Sequence, residues 1–379
     1  MDFGLSEQQR DVQNLAREIL GEQVTAEKLA KYDSYAAERF DRELWQQVAQ
    51  AGLLGVAIEE QYGGMGFGFF EAALIAEEVG RNIAPLPFIS HCISAAMPVQ
   101  QFGSAEQKQR LLPGVVSGEQ LLTAALMETN NEDPTQPRLC SAQADGEAVL
   151  ISGEKLCVPF AEQADYLLLA ATDGDGAVVV VMLPRQAGGL VLEAMEVTTY
   201  EPQYRLTLSN VRVGAENILA RGEQAQQLLA SVAEHTTAAL CAHQLGASDK
   251  AMRMTASYTA ERQQFGVPIA TFQAVGHRAA NCFIDVECLR LNCYQAISRL
   301  DDGVDASVEV AIAKVWAGDV GHRVSYAAQH LHGGTGIDRD YPLWRYCTWL
   351  RHNEMMLGSS ARNLAALGSK IAAGEAFCA

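Results

Sequence analysis

Two hydrophobic rhythms alternate along the chain. From residue 6 to about 118, apolar positions recur every three to four residues, the spacing of an amphipathic helix. Ser6-Glu7-Gln8-Gln9 forms a capping box after Leu5. Val12, Leu15, Ala16 and Ile19 then share one predicted face until Gly21 offers a stop. Asp41 precedes a second stripe of Leu44, Trp45, Val48 and Ala51 that Gly52 closes. Phe69 to Val79, and a segment opened by Ser104-Ala105-Glu106-Gln107, predict further helices.

Near Leu121 the texture changes. Ala148 to Ile151, Tyr166 to Ala171, Ala177 to Leu183, Leu190 to Ala194 and Tyr204 to Leu208 are short β-branched or Leu-rich runs. Asp145-Gly146, Asp173-Gly174-Asp175-Gly176 and Gly188-Gly189 separate them as turns. The gaps leave no room for crossover helices, so an antiparallel sheet in a barrel or sandwich is expected. From about Glu223 the helical period returns. Leu228, Leu229, Val232 and Ala239, then Phe283 to Ile297 and Val308 to Trp316, predict a bundle of four or five long antiparallel helices. The expected class is α+β, with an N-terminal helical domain (1–118), a central antiparallel β-barrel domain (119–217) and a C-terminal helical bundle (218–379).

Composition narrows the function. The 379 residues carry 28 Lys+Arg against 46 Asp+Glu, a net charge of −18, which repels nucleic acid and acidic membranes alike. Nine cysteines (Cys92, Cys140, Cys157, Cys241, Cys282, Cys288, Cys293, Cys347, Cys378) are scattered through apolar stretches without a C-x-x-C pair, as reduced core thiols are. Met1-Asp2-Phe3-Gly4-Leu5 has no basic leader, and no window nears the roughly 18 apolar residues of a membrane span. A soluble cytoplasmic protein is expected. The histidines make no metal set, since His330 and His332, two apart on a helix, point to different faces.

Three motifs bear on chemistry. Gly63-Gly64-Met65-Gly66-Phe67-Gly68 follows no predicted strand and lacks a Lys-Ser/Thr, so it is read as a connecting turn rather than a phosphate loop. Arg262-Gln263-Gln264-Phe265-Gly266 lies in a loop before Phe272-Gln273. Its guanidinium is a planar fork for phosphate oxygens and its phenyl ring can stack. His332-Gly333-Gly334-Thr335-Gly336 follows the apolar stretch Val324 to Leu331, where consecutive glycines let a bound group approach the backbone.

Taken together and in this order, Tyr62-Gly63-Gly64-Met65-Gly66, the arginine loop, Phe272-Gln273, Leu331-His332-Gly333-Gly334-Thr335-Gly336 and Tyr341-Pro342 resemble the acyl-CoA dehydrogenase family over essentially the whole chain. The resemblance implies FAD held across a subunit interface. Its diphosphate and adenosine end would be bound by Arg262, Gln264, Phe265, Gln273, His330, Gly333, Gly334 and Gly336. It also implies an acyl-CoA thioester as substrate, an electron-transfer flavoprotein as partner, and a glutamate that removes the α proton while a hydride leaves the β carbon.

The sequence departs from the family at that glutamate. The position counted from Gly333-Gly334 is Leu357, in Met356-Leu357-Gly358-Ser359, and the alternative on the helix before the arginine loop is Thr236, followed by Thr237. The segments that cradle the flavin ring in the family correspond to Glu128-Thr129-Asn130-Asn131-Glu132-Asp133-Pro134 and Lys155-Leu156-Cys157-Val158-Pro159, without the usual aromatic and hydroxyl groups. This pattern is similar to the non-catalytic subunit of heteromeric α2β2 steroid side-chain acyl-CoA dehydrogenases, whose catalytic partner supplies the base. Two other readings stay open. One is a self-sufficient homomeric enzyme with a displaced base, Glu354 or Glu234, of which Glu354 would share a face with Leu357 if that segment is helical. The other is a structural subunit without cofactor contact. In each reading the C-terminal bundle mediates assembly, because Val308 to Trp316 and Val324 to Leu331 carry more apolar surface than one small domain covers.

Overall fold

The computed structural model describes residues 4–131 and 133–374. Met1–Phe3, Glu132 and Cys378 lie outside the described residues. Six helices come first: α1 (Glu7–Gln23), α2 (Ala26–Ala30), α3 (Arg42–Gln50), α4 (Phe69–Asn82), α5 (Met97–Phe102) and α6 (Ala105–Ser117). Eight strands follow: β1 (Leu122–Ala125), β2 (Ser141–Asp145), β3 (Ala148–Pro159), β4 (Tyr166–Thr172), β5 (Val178–Pro184), β6 (Leu190–Met195), β7 (Gln203–Val213) and β8 (Ile218–Arg221). After them come α7 (Gly222–Glu261), a small hairpin of β9 (Gln263–Gln264) and β10 (Val267–Pro268), then α8 (Gln273–Asp301), α9 (Ser307–His332), α10 (Leu343–Met355) and α11 (Ser360–Ala372).

The caps read from the sequence are built as such. Ser6 and Ser104 each make the reciprocal capping box, and Asp41 accepts from Leu44 N–H at the start of α3. Gly21 does not stop α1, because one glycine costs a helix only about 1 kcal/mol. The helix runs two residues further, to where Val24 N–H donates back to Leu20 O. Its buried stripe is Val12, Gln13, Ala16 and Leu20, with Leu15 facing solvent. Between α4 and α5 lies a π-helical run, Ile89–Ala96, that periodicity did not reveal.

The chain forms two compact units. One comprises Lys31–Ala72 and Pro85–Thr236 and contains the sheet, ordered β6-β7-β3-β2-β4-β5-β8 with β1 added on β4. The sheet is mostly antiparallel, but β1 runs parallel to β4, with Leu122 opposite Tyr166, and β2 meets β4 in parallel at Ser141 and Thr172. The expected antiparallel sheet is thus present, with β1 as a parallel addition. A parallel pair needs a long connection, and here two strands, β2 and β3, supply it instead of a helix.

β4 and β5 are apolar without alternation because both of their faces are covered. Leu168, Ala170, Val180 and Met182 join Leu111, Leu112, Val115 and Leu228 in one core. Their neighbours Leu167, Leu169, Val179 and Val181 join Val149, Ile151, Leu206 and Leu208 in a second, enclosed by the curl of the sheet. In the same unit the Gly63–Gly68 segment is a tight turn. The N–H groups of Met65, Gly66 and Phe67 donate to the backbone carbonyls of Gly55, Ile58 and Val56, so they are not directed at a phosphate.

The other unit comprises Met1–Ala30, Ala73–Ala84 and Thr237–Ala379. It holds most of the C-terminal bundle, in which α7, α8 and α9 are long while α10 and α11 have 13 residues each. Gly246 lets α7 meet α4 backbone to backbone, since a Cβ there would lie 1.9 Å from Glu77 O. Around this crossing Arg81 bridges Glu77, Glu78 and Asp249.

Candidate functional site

The arginine motif begins where α7 ends. Arg262 N–H donates to Tyr258 O at 2.8 Å, and the chain doubles back so that Ile269 N–H reaches Arg262 O at 2.8 Å. In the hairpin between them Gln264 stands opposite Val267. The turn residues Phe265 and Gly266 have φ of +55° and +80°, as a two-residue type I′ turn requires. Glycine adopts this freely, whereas Phe265 does so at a cost. Its ring is 93% exposed and meets Phe272 edge-on with centroids 6.1 Å apart. Gln273 follows as the first, exposed residue of α8.

The glycine motif closes α9. Gly333, with φ +61° and ψ −137°, donates its N–H to His330 O in a conformation that glycine takes readily. A Cβ at Gly333 or Gly334 would meet nothing within 4 Å, so both peptides are open to approach. At Gly336 a Cβ would lie 2.7 Å from Gln329 O, so this glycine serves packing.

Tyr258 knits the two motifs together. Its ring stacks on His332 at 4.2 Å, and its hydroxyl donates to His332 O at 3.3 Å. His332 is buried, with Nδ1 2.8 Å from Ala328 O and Nε2 3.2 Å from the Tyr341 hydroxyl, and desolvation lowers its pKa. His330, two residues earlier, is exposed, as the helical spacing predicts, and its Nδ1 accepts from the Arg278 guanidinium at 2.8 Å. Neither Tyr258 nor Arg278 was singled out from the sequence. The available signal was Tyr258 standing one helical turn before Arg262.

This arrangement suits a diphosphate. Among the described residues the Arg262 side chain makes no hydrogen bond or ion pair, while open glycine peptides lie in the same unit. An exposed guanidinium without a carboxylate partner is free to pair with an anionic ligand.

The two positions at which the family resemblance places a base differ in structure. α10 ends at Met355, and Leu357, only 6% exposed, has φ +51° with Gly358 at +96°. The helix therefore stops between Glu354 and Leu357, and the shared-face argument for Glu354 fails. Glu354 instead pairs with Arg351 at 2.8 Å. The α10 end is anchored by Lys314 of α9, whose ammonium donates to the Asn353 carbonyl; burial lowers its pKa to about 8. In the other unit, Thr236 donates its hydroxyl to Ser94 Oγ at 2.9 Å, and Ser94 in turn donates to Ile89 O at 3.1 Å within the π-helical run. Glu234 stands half-buried on the same helix as Thr236.

The two segments that the family resemblance sets against a flavin-ring cradle are held by buried polar contacts. Glu128 and Lys155 form a buried ion pair at 2.7 Å, and the second Glu128 oxygen accepts from Arg138 N–H, Leu139 N–H and the Asn131 amide. Burial opposes ionisation of Glu128, but the Lys155 ammonium and these donors outweigh it and hold the carboxyl below its ordinary range. Past Lys155 the β3–β7 register slips, leaving Cys157 at φ +50° with its thiol pKa raised by burial. An ion pair and an aliphatic bulge occupy these two segments.

The two helical stretches expected to carry apolar surface are exposed only in part. Val310, Val324, Ala328 and Leu331 are buried within their own unit. Exposed apolar groups on these helices include Phe283, Ile284 and Leu291 of α8 and Tyr326, which lies within the Val324 to Leu331 stretch of α9.

Residues 6–119 match the model of the acyl-CoA dehydrogenase N-terminal domain and residues 227–372 that of the acyl-CoA dehydrogenase C-terminal domain. Acyl-CoA dehydrogenase FadE27 of Mycobacterium tuberculosis is 33% identical over 98% of this chain and 99% of its own length. The ChsE4–ChsE5 complex from Mycobacterium tuberculosis contains a chain with a TM-score of 0.92 and 32% identity, covering 98% of this chain and 99% of that one. A Tcur3481–Tcur3483 steroid ACAD variant matches with a TM-score of 0.90 and 38% identity, covering 97% and 98%.

Proposed function

Because the chain belongs to the acyl-CoA dehydrogenase family, whose members bind FAD, we propose that it is a subunit of a heteromeric acyl-CoA dehydrogenase that completes the cofactor site of a catalytic partner without supplying a base. The observation that carries this reading is Leu357: an aliphatic side chain, buried past the end of α10, stands at the position of the acid, and Glu354 is paired with Arg351. Thr236, the alternative position, has its hydroxyl engaged by Ser94.

Arg262, Phe265, Gly333 and Gly334 keep the chemistry that holds a dinucleotide tail, and Gln264, Gln273, His330 and Gly336 share their surface or frame it. The chemistry that the flavin supplies when bound is acceptance of the hydride from the acyl chain. This chain's part is to fix the diphosphate and adenosine end, while the partner brings the ring-binding strands and the glutamate. The likeness to a two-component ChsE4–ChsE5 complex and to a steroid ACAD supports a heteromeric assembly and a bulky steroid-type acyl-CoA. An electron-transfer flavoprotein is the proposed acceptor.

Co-expression with a homologous partner tests the proposal. The lone chain is expected to carry little flavin and to leave acyl-CoA unoxidised, whereas the complex carries FAD and reduces a dye with acyl-CoA. Stoichiometric FAD and turnover by the lone chain would reject it.

A further inference from the structure

Resting on the reading above, we infer that Arg278 is a second cation of the dinucleotide grip, presented by His330 and Tyr326 to the diphosphate beside Gly333 and Gly334. A diphosphate diester carries two negative charges, and Arg262 matches only one of them. Arg278 is placed to match the other. From the second turn of α8 it donates to His330 Nδ1 at 2.8 Å, three residues before Gly333, whose peptide is open. The guanidinium carbon lies 5.8 Å from the centre of the Tyr326 ring, and the His330 and Tyr326 rings are within 9° of parallel at 6.4 Å.

Charge distinguishes Arg278 from the arginines around it. Arg253 pairs with Asp249, Arg290 with Glu77 and Glu287, Arg323 with Asp285 and Arg351 with Glu354. Among the described residues Arg278, like Arg262, has no carboxylate, in a chain with a net charge of −18. Arginine has no acceptor, so the His330 nitrogen facing it is unprotonated. The contact orients the guanidinium without neutralising it, and its remaining N–H groups are left for an anion. A simple tie between α8 and α9 would not need that charge.

The test uses the assembled complex, stripped of flavin and titrated with FAD. Arg278→Gln keeps a donor for His330 and removes the charge. It is expected to weaken FAD binding by about ten- to a hundredfold, the worth of one charge-assisted contact, with the melting temperature of the flavin-free complex unchanged. Binding within about threefold of the parent would overturn the inference. Arg262→Ala is measured alongside. If it weakens FAD while Arg278→Gln does not, only the role of Arg278 falls; if neither does, the cofactor-grip reading falls with it. Should Arg278→Gln lower the melting temperature, Arg278→Lys decides. Retained charge must then bind FAD at least about fivefold more tightly than Gln, and equal affinities would overturn the inference.

Discussion

Glu128→Gln removes the charge from a buried ion pair that locks its segment to β3. Lys155 would be left in the interior with its ammonium 2.7 Å from a neutral amide, both side chains having been no more than 2% exposed. Breaking one side of such a pair costs about 3–5 kcal/mol, much more than the pair itself is worth against an apolar replacement. The amide oxygen can keep part of the bonding to Arg138, Leu139 and Asn131, so the charge carries most of the loss.

Urea unfolding of the parent, Glu128→Gln, Lys155→Met and the double variant closes a cycle. The double variant should recover much of the single-variant loss, because no unpaired charge remains. A coupling energy below about 1 kcal/mol, the value of an exposed pair, would refute the argument. Acid provides a second readout. The carboxyl is depressed in the folded state, so its contribution is full above the ordinary carboxylate range and fades as pH falls through the folded value. Glu128→Gln should flatten that acid limb.

Lys314, with its pKa lowered to about 8, predicts a slope of the same sign in the alkaline range. Between about pH 8 and the ordinary lysine value of about 10.4 the unfolded chain binds the extra proton, so stability should rise with pH there. Lys314→Met should abolish that rise in unfolding measurements from pH 7 to 10, and an unchanged slope would count against a buried ammonium. Phe283→Asp with Ile284→Asp, placed on the exposed apolar face of α8, should shift the assembly toward smaller species in light scattering without changing helix content. An unaltered mass would exclude that face from the interface. Leu357→Glu places a carboxylate where the family resemblance puts the base, yet on the proposed division of labour the lone chain should still not oxidise acyl-CoA. Dye reduction by that variant alone would contradict the division of labour proposed here.

Helices whose ends carry their own signals were legible without coordinates. Ser6, Asp41 and Ser104 cap within three residues of themselves, and the β4 and β5 runs declare their strands by composition. β1 and the parallel β1–β4 pairing were not legible, because four apolar residues fit several structures and the pairing depends on residues some forty positions away. The π-helical run was equally hidden, since its apolar pattern matches an ordinary helix.

The same division runs through the site. The types and order of Arg262, Phe265, Gly333 and Gly334, and the aliphatic residue at Leu357, are properties of the sequence alone. That Leu357 lies beyond a helix end, that Tyr258 stacks on His332 and Arg278 reaches His330, and that Glu128 is locked to Lys155 were decided only by the tertiary structure. The physical reason is range. Side-chain chemistry, caps and periodicity act within a few residues, whereas burial, ion pairing and the partner that a guanidinium lacks are set by segments that folding alone brings together.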